Sequence, residues 1–135
     1  MNEDIAVFPA QDRDSRHYWS ALADGRFEIQ QCGDCGRWTW PPLPICASCQ
    51  GDRLQWRVVS GWGHVYSWVK THHVYLRAFA RLVPYTIVLV RIDEQEDIWI
   101  PGRLTSDGEA RQGLRVHAAP ERLNDEVGLI NWRVV

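Results

Sequence analysis

Two Cys-x-x-Cys pairs, Cys32-Gly-Asp-Cys35 and Cys46-Ala-Ser-Cys49, hold all four cysteines of this 135-residue chain, with ten residues between them. No other feature restricts the fold as strongly. Two residues between cysteines let both thiolates of a tight turn face one centre. Two such turns in opposition form a closed tetrahedral site suited to zinc. Gly33 and Gly36 supply the backbone freedom that such turns need. A redox pair or a set of disulfides is the competing reading, but a redox Cys-x-x-Cys requires no second matched pair, and no βαβ pattern surrounds this one. The expectation is a zinc ribbon with Cys32, Cys35, Cys46 and Cys49 as ligands. Four protein ligands leave no open position for substrate, so the metal should be structural.

A chain of this length reads as one compact domain or two very small units, burying about two thirds of its unfolded surface. The formal net charge is -2; four thiolates and one zinc ion would take it to about -4. An acidic protein is a poor non-specific binder of nucleic acid. The charge is unevenly spread. Residues 53–92 contain no Asp or Glu but carry Arg53, Arg57, Lys70, Arg77, Arg81 and Arg91, whereas residues 1–34 sum to -4 and residues 93–120 to -3. This basic stretch reads either as ordinary strand composition or as a site for an anionic ligand. The start is acidic and lacks an apolar core, and no apolar run approaches the length of a membrane span. Together with the paired reduced cysteines, these features lead us to expect a cytoplasmic protein with no membrane partner.

Residues 1–25 are expected to form an extended arm, anchored at Phe8-Pro9, and a short helix over 15–22 that Asp12 or Asp14 caps and Gly25 ends. Its apolar stripe, with Tyr18, Trp19 and Leu22, must dock either on the ribbon or on a partner. The ribbon should occupy 26–60, with strands at 27–31 and 54–59. Between the knuckles, Pro41, Pro42 and Pro44 forbid helix, and Trp38 and Trp40 are expected to shield the metal. Ser60-Gly61-Trp62-Gly63 reads as a hinge into a second unit, 61–135. There the chain alternates over 64–74, with Val65, Ser67, Val69 and Thr71 on one face and His64, Tyr66, Trp68, Lys70 and His72 on the other. Residues 76–83 read as a loop or short helix. The apolar run 85–92 reads as a strand buried on both faces, and 93–97 as an acidic turn. Further strands follow at 98–104, 114–118 and 127–134, with a turn-rich loop over 105–113. Five strands with no room for βαβ crossovers suggest a small closed antiparallel barrel, and the OB-fold is the five-stranded barrel of this size. The fold class is therefore mainly β: a short helix, a four-cysteine ribbon and an OB-fold barrel.

Taken in order, these pieces resemble one family: zinc-ribbon plus OB-fold proteins associated with acyl-CoA, long labelled a domain of unknown function. The resemblance rests on Tyr18-Trp19, Cys32 to Cys49 with Pro41-Pro42, and Ser60-Gly61-Trp62-Gly63. It continues through Val65-Tyr66-Ser67 reaching His72, and Pro84-Tyr85 through Arg91-Ile92-Asp93-Glu94, so that it covers about residues 14–120. One departure is the acidic turn, where the family often has Glu-Gly and this chain has Glu94-Gln95. The resemblance implies a partner subunit for a thiolase-superfamily enzyme, either a thiolase or a thiolase-like aldolase of steroid side-chain breakdown. The partner carries the catalytic residues, while the ribbon/OB subunit stabilises it and helps bind CoA. Among this chain's residues, only the four cysteines carry over as functional.

Three functions compete for such a chain. Catalysis by this chain alone is disfavoured: every thiol is committed to metal, and no nucleophile elbow, P-loop or dinucleotide fingerprint is present. His64, His72, His73, Asp93 and Glu94 remain the only acid/base material singled out. A CoA-binding partner subunit fits the acid-free stretch. Lys70, Arg77 and Arg81 can neutralise phosphates, Trp68 or Tyr75 can stack on adenine, and His72 closes the set. Tyr18, Trp19 and Trp62 are the expected interface anchors. Single-stranded nucleic-acid binding is the alternative, since OB-folds use aromatic and basic faces for it. Net acidity and the absence of a lysine-rich tract weigh against it.

Overall fold

The computed structural model describes residues 8–106 and 109–135. Of the expected arm, residues 1–7 lie outside the described residues, as do two positions of the 105–113 loop. Residues 8–11 carry no regular secondary structure.

The helix, α1 (Arg16–Ala23), has Ser15 rather than Asp12 or Asp14 at its N-cap, with no side-chain capping bond; Asp12 Oδ1 instead accepts the Ser15 N–H at 2.7 Å in the turn before it. It ends at Gly25, whose φ of +81° glycine adopts without strain. Tyr18, Ala21, Leu22 and Ala23 are buried. Docking is close at Gly128: a Cβ there would lie 2.4 Å from the Leu22 carbonyl carbon and the Ala23 nitrogen. The helix therefore packs on its own barrel as well as on the ribbon.

The ribbon sheet is β2-β1-β3, built from β1 (Glu28–Cys32), β2 (Trp38–Thr39) and β3 (Leu54–Val58), all antiparallel. The second unit is a closed barrel of β4 (Trp62–Thr71), β5 (Tyr85–Ile92), β6 (Trp99–Leu104), β7 (Arg115–Arg122) and β8 (Gly128–Val134), in the order β4-β5-β6-β8-β7. β7 returns to β4, and the β6–β8 pair is parallel. This is the expected mainly-β architecture of zinc ribbon and five-stranded OB barrel. A 3₁₀ turn (Arg77–Phe79) sits in the connection between β4 and β5.

One apolar core runs through both units. Tyr18, Phe27, Ile29 and Val59 join Val65, Val88, Val90, Ile100, Val116 and Trp132 in a single cluster. Phe27 meets Trp132 edge-on at 5.9 Å. Trp38 and Trp40 pack against this cluster, and Trp40 lies 6.0 Å from the Tyr18 ring. The indoles expected over the metal thus seal the seam between ribbon and barrel.

Three expectations are corrected. Strand β5 is not buried on both faces: Val88, Val90 and Ile92 face the core while the alternate residues are half-buried. The barrel's outer wall is only partly covered, which explains the difference. The expected two-face alternation of β4 breaks at a bulge between Val65 and Ser67. An extra residue reverses the facing of all that follows. Tyr66 stays on the outer wall, stacked on Trp99 at 5.4 Å beneath the Arg91 guanidinium. Trp68 pairs with the fully buried Val88 and so shares its face. Finally, the Ser60–Gly63 segment is a clamped elbow rather than a hinge. Glu94 Oε2 accepts the Ser60 N–H at 2.6 Å, the Gly61 carbonyl accepts the Ala118 N–H at 2.8 Å, and a Cβ on Gly63 would lie 2.6 Å from the Arg91 carbonyl.

Candidate functional site

The two knuckles repeat one hydrogen-bond pattern. In the first, Arg37 O accepts the Cys32 N–H at 2.8 Å, and Cys32 O accepts the Gly36 N–H at 3.0 Å. In the second, Gly51 O accepts the Cys46 N–H at 2.8 Å, and Cys46 O accepts the Gln50 N–H at 2.9 Å. The position four residues after each first cysteine takes a positive φ, +79° at Gly36 and +61° at Gln50. Gly36 has the role the sequence suggested. Gly33 is needed instead for room, since a Cβ would lie 3.1 Å from the Arg53 carbonyl. Arg53 Nε also donates to Asp34 Oδ1 at 2.8 Å, tying β3 to the first knuckle.

This frame brings the Sγ atoms of Cys32, Cys35, Cys46 and Cys49 within 4.8 Å of one another. Cys32–Cys49 are 3.6 Å apart and Cys35–Cys46 are 3.7 Å apart. A tetrahedron with Zn–S bonds of about 2.3 Å has edges of about 3.8 Å, whereas a disulfide would need about 2.05 Å. The donor set and spacing therefore fit zinc. Backbone N–H groups of Cys35 and Asp34 lower the Cys32 thiol, and those of Cys49 and Ser48 bring Cys46 down to about 6. These backbone donors favour the thiolate form at both first cysteines. For Cys49, the Gly51 N–H acts downward, but crowding by the thiols of Cys32, Cys35 and Cys46 together with burial prevails and pushes it up to about 12. A bound zinc ion supplies the positive charge that neutralises this crowding. Its chemistry here is structural.

Residues 19–55 match the family model of the ChsH2 rubredoxin-like zinc ribbon domain, and residues 56–120 match that of the ChsH2 C-terminal OB-fold domain. The chain belongs to the ChsH2 zinc-ribbon/OB-fold family. A chain of the solved Ltp2-ChsH2(DUF35) aldolase superposes with a TM-score of 0.83 at 27% identity, covering 93% of this chain and 98% of that one. A DUF35-family protein of unknown function from Sulfolobus solfataricus, 13% identical with a TM-score of 0.62 over 88% of this chain and 83% of that one, shares the fold. Among curated proteins, a probable enoyl-CoA hydratase alpha subunit from Thermomonospora curvata is 35% identical over 64% of this chain and 26% of its own length. The 3-oxo-4,17-pregnadiene-20-carboxyl-CoA hydratase alpha subunit of Mycobacterium tuberculosis is 30% identical over 70% of this chain and 29% of its own length. The chain thus spans between a quarter and a third of these curated relatives.

The remaining site residues of this ChsH2-family chain fall into two places. Trp68, Lys70, His72, Arg77 and Arg81 are all exposed and lie along the end of β4 and the segment that leads to β5. There the β4–β5 pair runs on past the barrel, because β7 pairs with β4 only at residues 62–64. Exposed Val69, Val74, Tyr75 and Leu76 accompany the cations. The anchors do not form one patch. Tyr18 is 1% exposed and belongs to the core, so its side chain is not available to a partner. Trp19 is half-buried, with its indole N–H donating to Ser15 Oγ at 3.2 Å. Trp62 is also half-buried, edge-on to His117 at 4.6 Å and covered by the Arg115 guanidinium. No helix among the described residues is long and apolar enough to cross a membrane.

Sequence reasoning missed two side chains that join the parts. Gln95 Oε1 accepts the Trp38 N–H at 2.9 Å, and its Nε2 donates to Trp38 O at 3.0 Å and to Asp97 Oδ1 at 2.7 Å. The residue that departs from the family's turn is therefore the clasp between ribbon and barrel. Gln30 treats Leu43 alike, with 2.9 Å contacts both ways, and holds the Pro41-Pro42 return in place. A glutamine where the family often has glycine was the available signal for Gln95; Gln30 had none.

Proposed function

We propose that this chain is the non-catalytic subunit of a thiolase-superfamily enzyme acting on acyl-CoA, in particular a 3-hydroxyacyl-CoA retro-aldolase. The observation that carries this reading is the superposition on nearly the full length of a chain from an aldolase assembly. The four-cysteine cluster also supports it, because zinc bound there would occupy all four thiols and leave this chain no sulfur nucleophile. In the proposed division of labour, a base on the partner takes the hydroxyl proton, and the carbon–carbon bond between C2 and C3 breaks. A carbonyl product leaves, and the thioester stabilises the enolate until it is protonated. This subunit stabilises the partner and lends the acid-free arm, with Trp68, Lys70, His72, Arg77 and Arg81, to the phosphates and adenine of CoA.

The test is co-expression with a thiolase-like protein, followed by assay of 3-hydroxyacyl-CoA cleavage by each chain alone and by the complex. Turnover is expected only from the complex. Cleavage by this chain alone, or full activity of the thiolase-like protein without it, would overturn the proposal.

A further inference from the structure

The outer wall of the barrel carries a row of side chains that neither the zinc site nor the acid-free arm uses. Val65 of β4, Val90 of β5 and Ile100 of β6 pair side by side and are all buried in the core. The adjacent row, His64, Arg91 and Trp99, therefore faces outward. On its other side His64 pairs with Arg115 of β7. Tyr66 joins this wall from the bulge in β4.

Two guanidinium groups lie here, and they differ in their partners. Arg115 covers Trp62 but is neutralised, since it donates to both oxygens of Asp93 at 2.7 Å. Arg91 is half-buried, with its Cζ 5.1 Å from the centre of the Tyr66 ring and 6.0 Å from that of Trp99. Its cross-strand neighbours are His64 and Trp99, and the first acid along the chain, Asp93, is held by Arg115. Among the described residues no carboxylate pairs with Arg91. Its Nε is enclosed without a partner, which leaves the two Nη groups as the donors open to solvent.

The rings hold this guanidinium in place, and its donors form a planar fork that matches a carboxylate. The rings are poor platforms for a nucleotide base. Tyr66 and Trp99 stack on each other at 5.4 Å and 26°, and Arg91 lies over Tyr66, so their faces are largely taken within the chain. A nucleic acid needs open aromatic faces. What remains is a fixed cation beside two rings that are still 43% and 39% exposed. Tyr, Trp and Arg are the side chains that anchor protein interfaces.

We infer that this wall is a docking surface for an acidic protein partner, in which the Arg91 Nη groups receive an Asp or Glu carboxylate and Tyr66 and Trp99 pack around it. The occupant is the thiolase-like subunit; that identity rests on the partner-subunit reading, whereas the chemistry of the contact rests on the wall itself.

The test uses the zinc-loaded chain and the thiolase-like protein with which it is co-expressed. Arg91→Met keeps an apolar stem against the rings and removes the charge. It should weaken the complex about tenfold or more, the effect of losing hydrogen bonds to a charged group. The affinity that remains should depend less on salt than that of the wild type. Arg91→Lys restores the charge without the fork and should recover part of the loss. Circular dichroism and zinc content of the free variants should match the wild type. A second measurement needs no variant: phenylglyoxal modification of arginines, mapped by mass spectrometry, should reach Arg91 in the free chain and be blocked in the complex. Wild-type affinity of Arg91→Met, or equal modification of Arg91 with and without the partner, would overturn the docking surface and leave the partner-subunit reading standing. Failure of the wild-type chain to form any complex would remove both.

Discussion

Gln30 and Gln95 each use a side-chain amide where a sheet would use backbone. Both offer one acceptor and one donor to a single residue, Leu43 or Trp38. Replacing Gln95 with alanine leaves the half-buried Trp38 N–H and C=O unpaired. We expect Gln95→Ala to cost about 1–3 kcal/mol, read from the urea midpoint, with zinc retained and the Trp38 amide exchanging faster. Unchanged protection of that amide would show that the clasp is not what holds the seam. Asp93 gives a weaker effect with a defined sign. Arg115 donates to both of its oxygens at 2.7 Å, and this hydrogen bonding, with the attraction of the guanidinium, holds the carboxyl below its usual range. The stabilisation is therefore present above about pH 4 and lost as pH falls through the lowered folded value. Because both side chains are more than a third exposed, the pair is worth about 0.5 kcal/mol. Asp93→Asn should lower stability by that amount at pH 7 and by less at pH 3, checked by denaturation at both values.

At the scale of elements, the ribbon's metal supports more than the ribbon. Cys32 ends β1, while Phe27, which precedes β1, and Ile29 within it lie in the core they share with Trp132 of β8. Losing the metal releases the frame that positions β1 against the barrel. Cys46→Ser removes a buried ligand, and we expect loss of zinc, measured by metal analysis, together with a lower melting temperature for the whole chain. A barrel that melts at its original temperature after zinc loss would show that the two units are energetically separate. The knuckles were the most legible elements, because ligand spacing and turn geometry are local. The helix, the 85–92 strand and the count of five barrel strands were legible for the same reason: periodicity is carried within each segment. The facing of residues 67–71 was not. A single bulge reverses it, and the alternation of residues on either side looks the same with or without one.

For the molecule as a whole, the distribution of charge is the property that partners would meet. No Asp or Glu occurs between residues 53 and 92, and the exposed residues of that stretch include Trp68, Lys70, His72, Arg77 and Arg81, at the end of β4 and in the segment leading to β5. In the proposed complex with a thiolase-like subunit, Arg77→Glu with Arg81→Glu should raise KM for the CoA thioester at least about tenfold, the effect of losing one to two charge-assisted contacts. Circular dichroism and zinc content should be unchanged, since both positions are exposed. An unchanged KM would remove CoA binding from this arm. The sequence by itself determined the zinc ligands, the mainly-β class and the succession of ribbon and barrel, because ligand spacing, proline and glycine placement and strand periodicity act over a few residues. Only the tertiary structure decided that Tyr18 is core, that Gln95 clasps the ribbon, and that Tyr18 and Trp40 line one cavity with strands more than forty residues away. Those outcomes depend on which distant surfaces the barrel's closure brings together, and no local pattern of residues encodes that closure.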